Sequence, residues 1–141
     1  MRKMKSLSPV NTNYLLEVSL ADLHRESRSW LSDINFWSVE MDFYQRLLER
    51  VAGRITSVEG KKGIDHFQNL ILYFKGELLD QFEHDIREHE RYLERLLQNK
   101  SPFNEQLYRE VHKKYEYQIK AFNYDFKQYR KDLYKFTERY L

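Results

Sequence analysis

The stretch Trp30–Val51, WLSDINFWSVEMDFYQRLLERV, decides the fold because its apolar residues recur at alternating steps of 4 and 3. The repeat continues in both directions, and its members are Leu16, Leu20, Leu23, Ser27, Trp30, Ile34, Trp37, Met41, Tyr44, Leu48, Val51 and Ile55. Only Ser27 is not apolar. Such a repeat is typical of a long helix whose apolar seam packs against other helices. The sequence therefore predicts a long first helix.

Two more helices are predicted downstream by the same kind of pattern. The glycine-rich stretch GRITSVEGKKGID, residues 53–65, contains the first turn, which we expect near residues 57–62. The seam of the second helix then runs through Phe67, Ile71, Phe74, Leu78, Phe82, Ile86, His89, Leu93 and Leu96. Its consecutive steps of four from Leu78 to Ile86 indicate a stutter, which locally unwinds a supercoil.

The third helix has the best-defined start in the sequence. Ser101 is a good N-cap, and Pro102 suits the first helical position. The seam alternates steps of 4 and 3 again, through Tyr108, His112, Tyr115, Ile119, Phe122, Phe126, Tyr129, Leu133, Phe136 and Tyr140. We expect this helix to continue to the C-terminus.

These helices predict an all-α fold, an antiparallel up-down-up bundle of three long helices with coiled-coil-like packing. A chain of 141 residues with 4 Gly and 2 Pro suits one domain with few turns, and we assign residues 1–141 to it, with 1–12 as a flexible tail. Two of the helices also carry apolar residues outside their seams. These extra residues are Phe36, Phe43 and Leu47 on helix 1 and Leu70, Leu72, Tyr73 and Leu79 on helix 2. Since exposed apolar side chains favour a partner, we predict a homodimer; the alternative is a fourth helix formed by a bend within residues 1–28.

Composition narrows the function classes. A net charge of +2, with both signs mixed along the chain, argues against a nucleic-acid binder. The absence of cysteine excludes disulfides, thiolate zinc sites and cysteine nucleophiles. The longest apolar run, LILYF at residues 70–74, is too short to cross a bilayer, and MRKMKSLSPV at residues 1–10 lacks the apolar stretch of a secretory signal. We therefore expect a soluble cytoplasmic protein with no membrane contact.

Polar interruptions of the three seams are predicted to meet at one level of the bundle. An antiparallel arrangement places His89 of the second helix opposite His112 of the third. The same level of the first helix falls between Ser27 and Trp30, with His24 about one turn away. His84 is five residues from His89, so the two point in different directions and do not serve one site.

This histidine layer has two interpretations. A metal or small-ligand site would use His89 and His112 with Glu116 or Asp85 in support, since imidazole and carboxylate suit zinc, iron or manganese. A hydrogen-bonded polar layer would instead set the register of the helices at some cost in stability. We favour the polar layer, because carboxylate-bridged bundles use Glu-x-x-His pairs and no histidine here has a glutamate three residues before it.

Three other features have a chemical and a structural interpretation. Glu40 could meet Glu77 and gain a raised pKa, as a general acid would, although a tyrosine or basic partner from the third helix is favoured. Tyrosines in the third helix alternate with basic residues and could stack nucleic-acid bases, but Tyr115 and Tyr129 belong to the seam. EGKKGID, residues 59–65, lacks the order of a nucleotide-binding loop, so a plain turn is favoured.

The sequence resembles a family of short, uncharacterised bacterial helical proteins. The similarity rests on WLSDINFWSVEMDFYQRLLERV, DHFQNLI and LLDQFEHDIREHERYLERLL, within residues 28–97. The resemblance implies an all-α fold and a bacterial, cytoplasmic setting, with no assigned activity, and it transfers no catalytic residues.

The sequence thus predicts a non-enzymatic helical bundle, without cofactor, that acts through protein–protein contacts, with itself as a homodimer and with another helical protein. No nucleophile, phosphate loop or strong metal motif is recognisable. The second hypothesis is a metal- or small-ligand-binding bundle built on the histidine layer.

Overall fold

The computed structural model describes the backbone of residues 9–99 and 103–141, and the side chains of 20–99 and 103–141. Within these ranges the chain is helical and contains no strand, so the predicted all-α class is confirmed. The elements in chain order are α1 (Pro9–Ala52), α2 (Val58–Leu72), a π-helical segment (Tyr73–Leu79), α3 (Asp80–Leu97) and α4 (Glu105–Glu138). The π segment joins α2 to α3 without a break, so the chain forms three long helices.

Contacts between the helices define their relative register. Between α3 and α4 the residue numbers of contacting pairs run in opposite directions, from Tyr92 against Tyr108 to Phe82 against Phe122. Between α1 and α4 they rise together, from Trp30 against His112 to Tyr44 against Tyr134. No described helix combines the length and hydropathy that crossing a bilayer requires. α1 begins at Pro9, inside the segment predicted as a tail, and residues 1–8 lie outside the described part.

The predicted seams form the core. From Leu20 to Ile55 every seam position of the first helix is buried except Leu23, which is half-buried; the side chain of Leu16 lies outside the described residues. On α4 the buried seam residues are Tyr108, His112, Ile119, Phe122, Phe126, Tyr129 and Leu133. Aromatic rings dominate the middle, where Phe74 and Phe126 pack edge to face with ring centroids 6.2 Å apart.

The π segment corrects the predicted seam of the second helix. Leu79, and not Leu78, is fully buried, while Leu78 is half-buried at the margin. A π turn holds an extra residue, so the step from Phe74 to the next buried position is five residues and not four. The irregular spacing therefore corresponds to a π-helical segment and not to a stutter. After this segment the predicted seam positions Ile86 and His89 are buried again.

The first turn lies earlier than predicted. α2 begins at Val58, with Ser57 as N-cap, whose Oγ accepts a hydrogen bond from the Gly60 N–H at 3.0 Å. EGKKGID therefore lies in the helix and is not a turn. Glycine is needed there for close packing, since a Cβ at Gly63 would lie 2.4 Å from Cε1 of Phe136. Gly63 is therefore required because it has no side chain, and not because its backbone adopts an unusual conformation.

The start of α4 also differs from the prediction. Ser101 and Pro102 lie outside the described residues, and α4 begins at Glu105 with Asn104 as N-cap. The Asn104 Oδ1 accepts from the Leu107 N–H at 2.7 Å, and its own N–H donates to Tyr92 Oη at 2.9 Å. The contact with Tyr92 also fixes the N-cap residue of α4 against α3. α4 ends at Glu138, just short of the C-terminus.

Candidate functional site

A buried polar layer joins the three helices at the level predicted from the sequence. His89 on α3 and His112 on α4 are 4% and 2% exposed, and His89 Nε2 lies 2.9 Å from His112 Nδ1. His112 Nε2 lies 2.8 Å from Glu26 Oε1 on α1. One chain of hydrogen bonds therefore runs from α3 through α4 to α1.

Aromatic stacking holds the two imidazoles in place. The His112 ring stacks on Trp30 of α1 with centroids 4.5 Å apart. The His89 ring lies parallel to Tyr108 at 4.3 Å, with 6° between the planes. Because each ring lies against an aromatic neighbour, His89 Nε2 and both His112 nitrogens are held in line with their hydrogen-bond partners.

The tautomers can be assigned from the hydrogen-bond partners. An ionised Glu26 only accepts, so the hydrogen bond to it takes the proton on His112 Nε2. A neutral His112 then accepts at Nδ1 from the N–H of His89. A protonated His112 would instead donate to a neutral His89, so the layer accommodates one added proton without losing its central hydrogen bond. A second proton would make both facing nitrogens donors.

Burial, and to a smaller extent the electrostatic effect of neighbouring His112, together lower the pKa of His89 to about 4. His89 is therefore neutral in the folded protein above that pH, while an unfolded histidine binds a proton near pH 6.5. Below pH 6.5 the unfolded chain binds more protons, so the contribution of His89 to stability is complete above pH 6.5 and is lost as the pH falls toward 4.

We expect the pH dependence of stability to change in the variant His89→Gln. Between pH 7 and pH 5 the wild type should lose about 2 kcal/mol more of its free energy of unfolding than this variant, whose amide still reaches His112 but does not titrate. Urea unfolding at the two pH values measures the difference. His66 is exposed, so His66→Gln should keep the wild-type dependence. Equal losses in the wild type and His89→Gln would contradict the assignment.

Two hydroxyl groups and a second imidazole–carboxylate pair lie beside the histidines. Ser27 Oγ and Tyr108 Oη are buried, and neither makes a hydrogen bond of ordinary geometry with a described residue. Burial raises the pKa of Tyr108 and the charge of Glu90 raises it as well, while a weak contact with the Ser27 hydroxyl acts in the opposite direction. His24 Nδ1 of α1 lies 3.1 Å from Glu90 Oε2 of α3. The layer thus extends from the core to the surface between α1 and α3.

A groove opens beside this edge of the layer. It has a volume of about 1120 Å³ and runs between α1 and α3. Its walls combine leucines with charged side chains and comprise Leu20, Ala21, His24, Arg28, Leu31, Ser32, Arg87, Glu90, Arg91, Leu93, Glu94 and Leu97. Arg87 and Arg91 already pair with Glu83 and Glu88 on their own helix. The groove therefore combines apolar and charged side chains, and two of its arginines are already paired and do not point together at a ligand.

The four residues named for a metal site do not all meet. His89 and His112 are in contact, but Asp85 accepts from Gln81 at 2.8 Å and Glu116 pairs with Lys120 at 3.3 Å. The carboxylates that contact histidines at the layer are Glu26 and Glu90, and neither is among the residues predicted for the site. In the described ranges no three histidine, aspartate or glutamate side chains are grouped as metal ligands would be. The sequence does contain a signal for Glu26, because it is adjacent to Ser27, the polar seam residue at the predicted level of the layer.

Glu40 is paired with a base on α4. Arg130 Nε and Nη2 donate to its two carboxylate oxygens at 2.6 and 3.0 Å, and Tyr44 Oη donates at 2.6 Å. Burial opposes ionisation, but these hydrogen bonds outweigh it and lower the pKa of Glu40. A general acid needs a raised pKa, so the favoured structural interpretation holds. Glu77 is exposed on the π segment, whereas Glu40 faces α4, so the two carboxylates do not form the predicted pair.

Removing this ion pair should cost stability. We expect Glu40→Gln to lower the free energy of unfolding by about 1–2 kcal/mol, since the Arg130 fork loses its charged acceptor. Urea unfolding at pH 7 measures the loss. The control is Glu83→Gln, which breaks an exposed pair with Arg87 within one helix and should cost about 0.5 kcal/mol or less. A loss for Glu40→Gln no larger than that of the control would show that the pair is dispensable.

The outer face of α1 carries apolar side chains in water. Phe36, Val39 and Phe43 are 64%, 58% and 53% exposed. Of the other predicted surplus residues, Leu72 and Tyr73 are exposed, Leu47 and Leu70 pack against the core, and Leu79 is fully buried. On α4 the exposed tyrosines are Tyr117, Tyr124 and Tyr134. Among the described residues, none covers Phe36, Val39 or Phe43 of α1.

No family model, curated protein or solved structure matches this chain. The resemblance to a family of short bacterial helical proteins therefore stays a prediction.

Proposed function

We propose that the protein is a non-enzymatic helical bundle that acts through protein contacts of its outer faces, and first of all through self-association. The observation that carries the proposal is the exposed row of Phe36, Val39 and Phe43 on α1. Each side chain of this kind gains about 1.5–3 kcal/mol on full burial, so a partner that covers the row is favoured energetically. A cytoplasmic setting is part of the proposal and rests on the sequence alone.

The up-down-up order of three helices belongs to the same proposal. It is supported by contacts whose residue numbers run in opposite directions between α3 and α4 and in the same direction between α1 and α4. The alternating steps of 4 and 3 in the buried seams support coiled-coil-like packing. Such a bundle presents long helix faces, which are the surfaces that bind other helices.

The test is the mass of the protein in solution by light scattering. We expect the wild type to have the mass of two chains and the variant Phe36→Ser, Val39→Ser, Phe43→Ser that of one. The matched control is Tyr117→Ser, Tyr124→Ser, which removes two exposed aromatic rings from α4 and should leave the mass unchanged. A wild type that remains a single chain at micromolar concentration would refute self-association, and a triple variant that remains double would refute the role of this face.

A metal- or small-ligand-binding bundle is the second candidate. It is favoured by the two buried imidazoles and Glu26, together with the buried hydroxyls of Ser27 and Tyr108. A tetrahedral ion bound by both imidazoles would hold the two nitrogens about 3.3 Å apart and would replace the proton between them. Their present separation of 2.9 Å would have to increase slightly.

Elemental analysis of protein purified without a histidine tag separates the two candidates. Stoichiometric metal in the wild type, absent from the variant His89→Ala, His112→Ala, would establish the second. Metal-free protein that is folded and dimeric would favour the first. Asp85→Asn and Glu116→Gln are suitable controls, because neither carboxylate contacts the histidines.

A further inference from the structure

The exposed apolar row of α1 is the middle of a longer stripe. Exposed positions recur at steps of 3 and 4 along the side of α1 opposite its core seam, and they are Ser29, Ser32, Phe36, Val39, Phe43, Arg46 and Arg50. This spacing is that of a helix face that packs along a second helix. At 1.5 Å per residue the stripe is about 32 Å long. α1 therefore carries one seam for its own core and another for a partner.

We infer that this stripe packs against the same stripe of a second copy, with the two α1 helices antiparallel and a two-fold axis near Val39. The inference rests on the proposed self-association and specifies its geometry. Pairs equidistant from the axis are complementary: Phe36 faces Phe43 of the second copy, and Ser29 faces Arg50 of the second copy. Small side chains thus lie opposite long ones, and apolar rings opposite apolar rings, as a two-fold contact requires.

A parallel arrangement in the same register is disfavoured by charge. It would place Arg46 and Arg50 against the same arginines of the second copy, where like charges repel. In the antiparallel arrangement both arginines meet serines, and Arg46 comes within reach of Asp33 of the second copy. Charge therefore selects the antiparallel orientation.

Flanking charges select a second copy over an unrelated helix. Arg28 and Glu49 occupy equivalent positions along one edge of the stripe, at nearly equal distances on either side of Val39. Both are exposed, and neither has an ion-pair partner in the described part of its own chain. In the antiparallel dimer Arg28 of each chain meets Glu49 of the other, so two ion pairs close the edge of the interface.

A charge reversal tests this register by sedimentation equilibrium. Arg28→Glu and Glu49→Arg should each weaken dimerisation about tenfold, because each puts two like-charged pairs across the interface. The double variant Arg28→Glu, Glu49→Arg should restore it to within about threefold of the wild type. Circular dichroism should show the same helix content in all of them. Single variants that dimerise like the wild type, or a double variant as weak as the singles, would overturn the register.

Cysteine cross-linking gives an independent test, because the chain contains no cysteine. Val39→Cys places two thiols beside the two-fold axis and should form a disulfide-linked dimer rapidly under mild oxidation. Tyr117→Cys, at a side chain that is 76% exposed on α4, is the control and should cross-link slowly. A protein that dimerises but cross-links no faster through Val39→Cys would refute this interface while leaving self-association intact. A monomer would refute both.

Discussion

Phe126→Ala is expected to lower the free energy of unfolding by about 3–5 kcal/mol, the largest effect of a single substitution that we predict. Phe126 has no exposed surface and lies where the three helices meet. Its ring contacts Trp37 of α1 and Phe74 of the π segment, at centroid distances of 6.5 and 6.2 Å. Truncation leaves a cavity whose walls come from rigid aromatic rings, which collapse poorly around an empty space.

Urea unfolding at one protein concentration measures this loss, since self-association adds to apparent stability. Tyr124→Ala is the matched control on the same helix, because its ring is 64% exposed. It should cost about 0.5 kcal/mol or less. A loss below about 1 kcal/mol for Phe126→Ala would mean that the core repacks freely.

His112→Ala is expected to lower the free energy of unfolding by about 3 kcal/mol at pH 7. The substitution removes the stack on Trp30 and leaves His89 Nε2 buried without its partner. It also leaves Glu26 of α1 without its contact to α4. The loss combines a cavity with an unsatisfied polar atom, and the unsatisfied atom is costly because His89 is only 4% exposed.

The double variant His89→Ala, His112→Ala should lose less stability than the two single losses together. Removing either histidine already leaves the facing nitrogen of the other without its partner, so removing the second also removes an unsatisfied polar atom. His84→Ala, on the exposed face of α3, is the control and should be close to neutral. Additive losses for the double variant would contradict a direct interaction between the two imidazoles.

Periodicity was sufficient to predict the helices, their seams and the level of the histidine layer. The reason is geometric, since a regular rise per residue converts sequence distance into height along a rod. His89 and His112 were paired on that basis alone, and they lie in hydrogen-bond contact. The same reasoning failed where the helix is not a regular α-helix. At the π segment one extra residue moved the buried position from Leu78 to Leu79.

Side-chain direction was harder to predict than height. The sequence suggested Asp85 and Glu116 as companions of the histidines because they lie one turn away on the same helices. In the structure the companion carboxylates come from facing helices, as Glu26 does, since the imidazole nitrogens point across the bundle. Glycine was misleading for a related reason: Gly63 allows Phe136 to approach the helix, a contact that no local pattern reveals.

Sedimentation equilibrium of the untagged wild-type protein over a range of micromolar concentrations tests the central claim most directly. We predict that the mass reaches twice the 17.5 kDa of one chain and falls toward one chain on dilution, as a reversible dimer requires. A mass of 17.5 kDa throughout the range would contradict the claim that the outer face of α1 is an interface between two copies.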